Sequence, residues 1–317
     1  MAFAGSSFTA LAGGVGAARF LAGLVDAVPP ESVTAIVNTA DDEVFHGLHV
    51  SPDLDSVTYT LSGASNREQG WGLADETFTV LAALERFDVP TWFRLGDNDL
   101  ATHLVRTTRL AAGASLSEAT AEIAAAWGVR TRLIPMSDDR VRTIIEVATA
   151  DGVTPLAMQE WFVRERCAPP VVAVRFDGAE SSRAAPGVIE AIGSCDAVLV
   201  CPSNPVISIG PILAVPGIRD ALIARREHVV AVSPIVGGAP VKGPADLLMG
   251  PLGMQVSCVG VARAYVDFCS TIVIDAIDAE RAAEIEAFGM RVVVTDTLMR
   301  SPEVALSLAQ RTLEAVS

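Results

Sequence analysis

The chain has 317 residues, half of them hydrophobic, with 38 acidic against 23 basic side chains and a net charge of −15. That composition excludes a disordered chain and a small cross-linked scaffold. The acidic surplus also argues against a protein that tracks nucleic-acid phosphates, which needs clustered Lys and Arg. A small anionic ligand stays compatible, because a metal ion or a few placed arginines reverse the field locally.

In chain order, the N-terminal stretch carries no basic leader, so no targeting segment is expected, and no run of about 18 apolar residues offers a membrane span. The sequence predicts a strand over 7–11, a helix over 17–28 and a strand over 33–38, which make one βαβ unit. From 77 to 159 helical stretches dominate (77–87, 101–110, 115–127), and only 132–135 and 141–149 look extended. Strands then return at 171–174, 197–201, 229–232, 271–274 and 291–294, with helices at 217–225, 279–288 and 302–316 between or after them. These strands lack polar alternation, as strands buried on both faces of a parallel sheet do. The expected fold is α/β: a Rossmann-like, mostly parallel sheet with helices on both faces, formed by 1–76 and 160–317, and an inserted, mostly helical lobe over 77–159 that walls a cleft. Five cysteines, Cys167, Cys195, Cys201, Cys258 and Cys269, are odd in number and lack CxxC spacing, so they read as reduced thiols of a soluble cytoplasmic protein.

Several loops carry candidate chemistry. Gly13-Gly14-Val15-Gly16 stands where the first strand turns into the first helix. Glycines there let backbone approach a phosphate at a helix N-terminus, although a plain tight turn uses them too. Neither the dinucleotide fingerprint nor Walker A fits, since Arg19 stands at the third glycine and no G-K-S/T follows. After the second strand come Asn38-Thr39-Ala40-Asp41-Asp42-Glu43 and Ser51-Pro52-Asp53-Leu54-Asp55. Hard cations such as Mg²⁺ take such oxygens, and helix caps take them as well. Further polar loops are Arg94-Leu95-Gly96-Asp97, Pro135-Met136-Ser137-Asp138-Asp139, Pro202-Ser203-Asn204-Pro205 and the run from Ser233 through Gly237, Gly238 and Lys242, the single lysine. In an open parallel sheet ligands bind beyond the carboxyl ends of the strands, so the Gly13, Asn204 and Gly237 loops can converge on one ligand. His46 and His49 flank the aspartates, His103 lies in the lobe, and no His or Cys spacing supports zinc.

Taken in order, these loops resemble the CofD/FbiA family, the 2-phospho-L-lactate and phosphoenolpyruvate transferases of coenzyme F-420 biosynthesis, over nearly the whole chain. The resemblance implies a Rossmann-like homodimer that moves a phospho-linked three-carbon acid from its guanosine-diphosphate adduct to the ribityl hydroxyl of the deazaflavin Fo, releasing GMP. The scarcity of lysine beside arginine points to an actinobacterial chain and hence to phosphoenolpyruvate. On that resemblance Asp41 and Asp53 are expected to ligate Mg²⁺ with Asp42 behind them. Asp55 is expected near the attacking hydroxyl as binder or base, which makes Asp41, Asp53 and Asp55 the catalytic set. Arg94 matches the acceptor-binding position, and His49 and Asp97 are assigned with it to the substrate. Gly13, Gly14 and Gly16 are expected to cradle the diphosphate, with Ser203, Asn204, Gly237, Gly238 and Lys242 on the nucleotide side. Trp71 and Trp92 are read first as packing residues and second as stacking partners of the deazaflavin. The rival reading is a non-catalytic nucleotide-sugar-binding regulator of the same fold, which has no need of metal ligands facing an acceptor pocket.

Overall fold

The computed structural model describes residues 3, 5–66 and 71–316. Seven short apolar strands, β1 (Phe8–Ala12), β2 (Val33–Val37), β3 (Arg132–Pro135), β4 (Ala197–Val200), β5 (Val229–Val232), β6 (Thr271–Asp275) and β7 (Arg291–Thr295), form one sheet. Their spatial order is β7-β6-β5-β4-β1-β2-β3, and every pairing is parallel. The period of two divides their side chains between two cores. Leu11, Ile36, Val198, Val200, Ala231 and Ile272 face one core, while Ala10, Ala12, Ala35, Val37, Leu199, Val230 and Val273 face the other. Both faces are covered, which is why these strands read as unbroken apolar runs.

On the second face lie α1 (Gly14–Ala27), α2 (Pro52–Leu61) and the helix Pro302–Glu314, whose Leu308, Ala309 and Leu313 join Phe20, Leu21, Leu54 and Val57. On the first face Val188, Ile192, Ile218, Leu222, Val259 and Ala262 close the layer. Three further helices belong to the expected lobe: α3 (Thr79–Leu84), α4 (Asp99–Ala111) and α5 (Leu116–Ala126). Helix α5 starts on a capping box, Ser115 with Glu118.

Two expectations are corrected. Residues 77–159 do not form a separate helical unit, because β3 lies inside that range and is the edge strand of the main sheet, Leu133 standing opposite Ala35. The strand expected at 171–174 runs over Val171–Asp177 and does not join the parallel sheet. It pairs antiparallel with Arg142–Thr149, which also pairs with Gly152–Ala157. Its physical basis is exposure: Val171 is buried but Val172 is 46% exposed, so one face of this small sheet meets solvent, as antiparallel sheets allow. Among the described residues no single helix is long and apolar enough to cross a membrane.

Candidate active site

The strand order reverses between β1 and β4, and in such sheets the crevice outside the carboxyl ends at that point receives ligands. Here β1 delivers Gly13 and Gly14, β2 delivers Asn38 and Asp41, β4 delivers Pro202, Ser203 and Asn204, and β5 delivers Ser233. Apart from Asn38, all of these line one cavity of about 480 Å³ together with Asp53, Asp55, Arg94 and Lys242.

The first turn is glycine-rich because the chain is crowded there. A Cβ on Gly13 would lie 2.7 Å from Ser208 Cβ and 2.9 Å from a carboxylate oxygen of Asp53, and one on Gly16 would lie 2.5 Å from the Pro202 carbonyl oxygen. Gly14 also has φ +74°, a left-handed conformation that suits glycine. The Gly13 N–H donates to Ser203 Oγ (3.3 Å), which ties the β1 and β4 loops together, and the Gly14 N–H donates to Asp53 Oδ1 (2.8 Å). The positive end of α1 is thus met first by the protein's own carboxylate.

Asn38, fully buried at the end of β2, organises the carboxylates. Its Nδ2 donates to Asp53 Oδ2 (2.9 Å) and to Asp41 Oδ2 (3.2 Å), while its Oδ1 accepts from the Ala40 N–H (3.0 Å). Asp42 Oδ2 accepts from Ser51 Oγ (2.6 Å). The other oxygens of Asp41 and Asp42 are buried with no hydrogen-bond partner, and among the described residues neither Asp41 nor Asp53 has an ion pair. Desolvated, uncompensated carboxylates hold protons more tightly. Burial, then the neighbouring charge of Asp53, raises Asp41 well above the carboxylate range. Burial raises Asp53 to about 6 against the hydrogen bonds from Asn38 and Gly14. It raises Asp42 to about 7 against Ser51 and the charges of Arg106 and Arg142. Asp41 and Asp53, hard oxygen donors that lack a cation and border the cavity, fit a divalent ion such as Mg²⁺. Asp42 does not line the cavity, so it stands behind Asp41.

Asp55 has a different environment. The buried guanidinium of Arg106 grips it with both terminal nitrogens, Nη1 at 3.2 Å from Oδ2 and Nη2 on Oδ1. His103 Nδ1 lies 3.7 Å from Asp55 Oδ2, and its Nε2 lies 3.2 Å from Asp99 Oδ2. Tyr59 donates its hydroxyl to Asp99 Oδ1 at 2.5 Å. Burial opposes ionisation of Asp99, yet His103, Tyr59 and Arg106 together hold its carboxyl below the usual range. Asp55, Asp99 and His103 offer three ligand atoms within 4.8 Å of one another, a second grouping of metal-ligand type. Unlike the Asp41–Asp53 pair it already contains a cation, because Arg106 occupies Asp55. The sequence alone marks Asp99 as one of two carboxylates in the polar loop of Arg94 and His103 as a lobe residue, without bringing them together, and it does not mark Arg106. Their signal is helical spacing: 99, 103 and 106 fall at i, i+4 and i+7, one face of α4.

Other expected residues fall elsewhere. Gly237 and Gly238, with φ +59° and +80°, form the turn of a hairpin between Ile235–Val236 and Ala239–Pro240 and do not line the cavity. They are glycine because a two-residue turn of this hand needs positive φ at both positions, and the Gly237 N–H donates to Asp278 Oδ2 (2.9 Å). Asp97 is also off the cavity wall: it accepts from Thr77 Oγ1 (2.5 Å) and from the Thr79 and Val80 N–H groups. The His49 ring lies behind the wall, where burial and then the charge of Arg106 lower it to about 4 and keep it neutral. Arg94 is exposed at the mouth, its guanidinium 4.1 Å above the Phe78 ring. Trp71 and Trp92 both border the cavity: Trp71, 39% exposed, is not a buried packing residue, whereas Trp92 is partly buried and packs edge-on against Phe45 at 5.3 Å, as the packing expectation has it. Phe93, stacked on Phe45 at 4.0 Å, and Phe162 extend that aromatic wall.

Residues 8–309 match the family model described as 2-phospho-L-lactate transferase CofD. The chain is 46% identical to a phosphoenolpyruvate transferase of Streptomyces griseus, covering 96% of each chain, and 46% identical to one of Thermobifida fusca, covering 94% of each. It is 39% identical to a 2-phospho-L-lactate transferase of Methanosarcina mazei, covering 96% of this chain and 98% of that one. A crystal structure of a UPF0052 family member from Bacillus halodurans superposes with a TM-score of 0.63 at 17% identity, covering 97% of this chain and 98% of that one, which shows a shared fold. With the match running from β1 into the last helix, the chain belongs to the CofD family.

Proposed function

We propose that this protein transfers a phospho-linked three-carbon acid, phosphoenolpyruvate or 2-phospholactate, from its guanosine-diphosphate adduct to the terminal ribityl hydroxyl of the deazaflavin Fo, with release of GMP. The observation that carries the reading is one cavity with two unlike walls. Buried carboxylates without a cation, Asp41 and Asp53, lie against the glycine turn, and an aromatic wall of Trp71, Trp92 and Phe93 lies near Arg94. The first suits a phosphate-bearing donor, and the second suits a flat, conjugated acceptor. Membership of the family and the names of its relatives support the same reaction class.

In this reading Asp41 and Asp53 hold Mg²⁺, which neutralises charge on the diphosphate when bound. Asn38 holds both carboxylates in place beside the cavity, Asp41 with its Oδ1 unpartnered and Asp53 with remaining lone pairs on oxygens that already accept from Asn38 and Gly14. Asp55, immobilised by Arg106, keeps lone pairs free to accept a hydrogen bond from the acceptor's hydroxyl and orient its oxygen toward phosphorus, which favours binder over base among the two roles expected for it. Ser203 and Asn204 position the nucleotide, and Arg94 contacts the deazaflavin. The same reading makes the molecule a homodimer of the cytoplasm. The test supplies Fo with each guanylylated acid, with and without Mg²⁺, and follows GMP and the phosphodiester product by chromatography. Product and GMP in equal amounts, dependent on Mg²⁺, are expected. Tight nucleotide binding with no GMP from either donor would overturn the reading in favour of a regulator.

A further inference from the structure

The cavity is electrically two-sided. Its floor carries Asp41, Asp53, Asp55 and Asp99, and its lining also includes the cations Arg19 and Lys242, both exposed. Arg19 follows Val15 by four residues on α1, so it stands above the glycine turn on the same helix face. Arg19 also borders a second cavity of about 230 Å³ that shares Val15, Ser56, Trp71 and Met299 with the first, and it therefore marks where the two spaces join.

In a chain of net charge −15 most arginines find carboxylates, as Arg109 finds Glu122 at 2.6 Å and Arg219 finds Asp267 at 2.8 Å. Among the described residues neither Arg19 nor Lys242 has a hydrogen bond or ion pair. Both line the same cavity, and partial burial and then the charge of Arg19 lower the proton affinity of Lys242. Two like charges held together without a counter-ion, in a protein rich in carboxylates, leave a place for a multiply charged anion.

We infer that Arg19 and Lys242 form a two-point clamp for the diphosphate of the nucleotide donor, gripping it from the side opposite Asp41 and Asp53. The inference rests on the donor reading above and adds to it a residue, Arg19, and a charge geometry. The diphosphate lies between an ion held by carboxylates and two protein cations, so its negative charge is met on both sides. Arg19, at the junction of the cavities, then fixes which way the two arms of the donor point.

The test is calorimetric titration of the full-length protein with GDP and with guanosine, using wild type, Arg19→Gln, Lys242→Gln and Arg19→Lys. Each charge-removing substitution is expected to weaken GDP about tenfold, the loss of one charge-assisted contact, and to leave guanosine unchanged. Arg19→Lys should recover most of the GDP affinity, since it restores the charge. Unaltered GDP affinity in both Gln variants, or an equal loss for guanosine, would overturn the clamp while the transferase reading stands. Wild type that binds guanosine and GDP equally would remove the diphosphate contact altogether, whereas absence of any nucleotide binding would overturn the donor reading itself.

Discussion

Two parts of the cavity wall are built in opposite ways. The wall at the carboxyl ends of β1, β2 and β4 is buried: Asn38, Asp41, Asp42 and Asp53 are each 7% exposed or less, and every one is fixed by hydrogen bonds within the sheet layer. The wall formed by the excursion from Glu76 to Asp99 carries an apolar helix, α3, with no buried residue, and Phe87 within it is 76% exposed. That excursion is held at its neck. Asp97 accepts from Thr77, Thr79 and Val80, the Asp97 N–H donates to the Thr77 carbonyl (2.9 Å), and Glu76 accepts from the Asn98 and Asp99 N–H groups at 3.0 and 2.7 Å. In the proposed reaction the contrast separates charge chemistry, which needs fixed geometry and exclusion of water, from acceptor binding, which needs a wall able to admit a large flat ligand.

The sharpest way to break the comparison is at Asp53. Asp53→Asn keeps the shape, and an amide oxygen can still accept from Gly14, but it removes the charge a divalent ion needs. Turnover is expected to fall by about a thousandfold or more, with an unchanged circular-dichroism spectrum. Near-normal turnover would take Asp53 out of the site.

Arg106→Met probes the other carboxylate. It leaves Asp55 buried without its cation, and breaking a buried pair from one side costs about 3–5 kcal/mol. Urea unfolding should show a loss of that order, whereas Arg109→Met, on an exposed pair with Glu122, should show almost none. Equal losses would mean that burial does not distinguish the two pairs.

The pH dependence follows from the raised carboxylates. Asp42 and Asp53 have an ordinary value of 3.8 and stand at about 7 and about 6 in the fold. A raised native value means that the folded state holds the proton more tightly, so their contribution is fully present below about 3.8 and is lost as pH rises through 6 to 7. The metal-free protein should therefore be more stable at pH 5 than at pH 8, by on the order of a few kcal/mol, and melt at a correspondingly higher temperature. Mg²⁺ at pH 8 should restore part of the difference, and Asp53→Asn should shrink it to the share that Asp42 keeps. A melting temperature that falls on acidification would contradict this burial.

Much of this was legible in the sequence. Short apolar runs without polar alternation announced the parallel sheet, and glycine and aspartate at strand ends announced the crevice. What was not legible depended on tertiary partners. Residues 132–135 read as lobe because an edge strand has no local mark that tells it from a hairpin arm. Residues 171–174 read as a central strand because four residues were too few to show the exposed positions that follow. Gly237 and Gly238 read as ligand glycines because a turn and a cradle need the same freedom. Arg106 lay hidden among other helix arginines, and only its burial against Asp55 sets it apart.

The smallest expected effect belongs to the neck of the exposed wall. Asp97 is held at about 2, chiefly by the Thr77 hydroxyl and then by backbone N–H groups, so it is ionised throughout the working pH range and never acts as a proton carrier. Its task is to close the excursion that carries Trp92, Phe93 and Arg94. Asp97→Ala frees Thr77, Thr79 and Val80 at the surface, where water replaces the lost acceptor, so the melting temperature should scarcely move. The acceptor wall should loosen, raising KM for the deazaflavin several-fold while KM for the nucleotide donor stays fixed, because the carboxylates and the glycine turn are anchored to the sheet and not to the excursion. Tryptophan fluorescence of Trp92 should report the same loosening in the absence of substrate. If both KM values rise together, the two walls are mechanically one, and the division between a fixed charge site and a movable acceptor site fails.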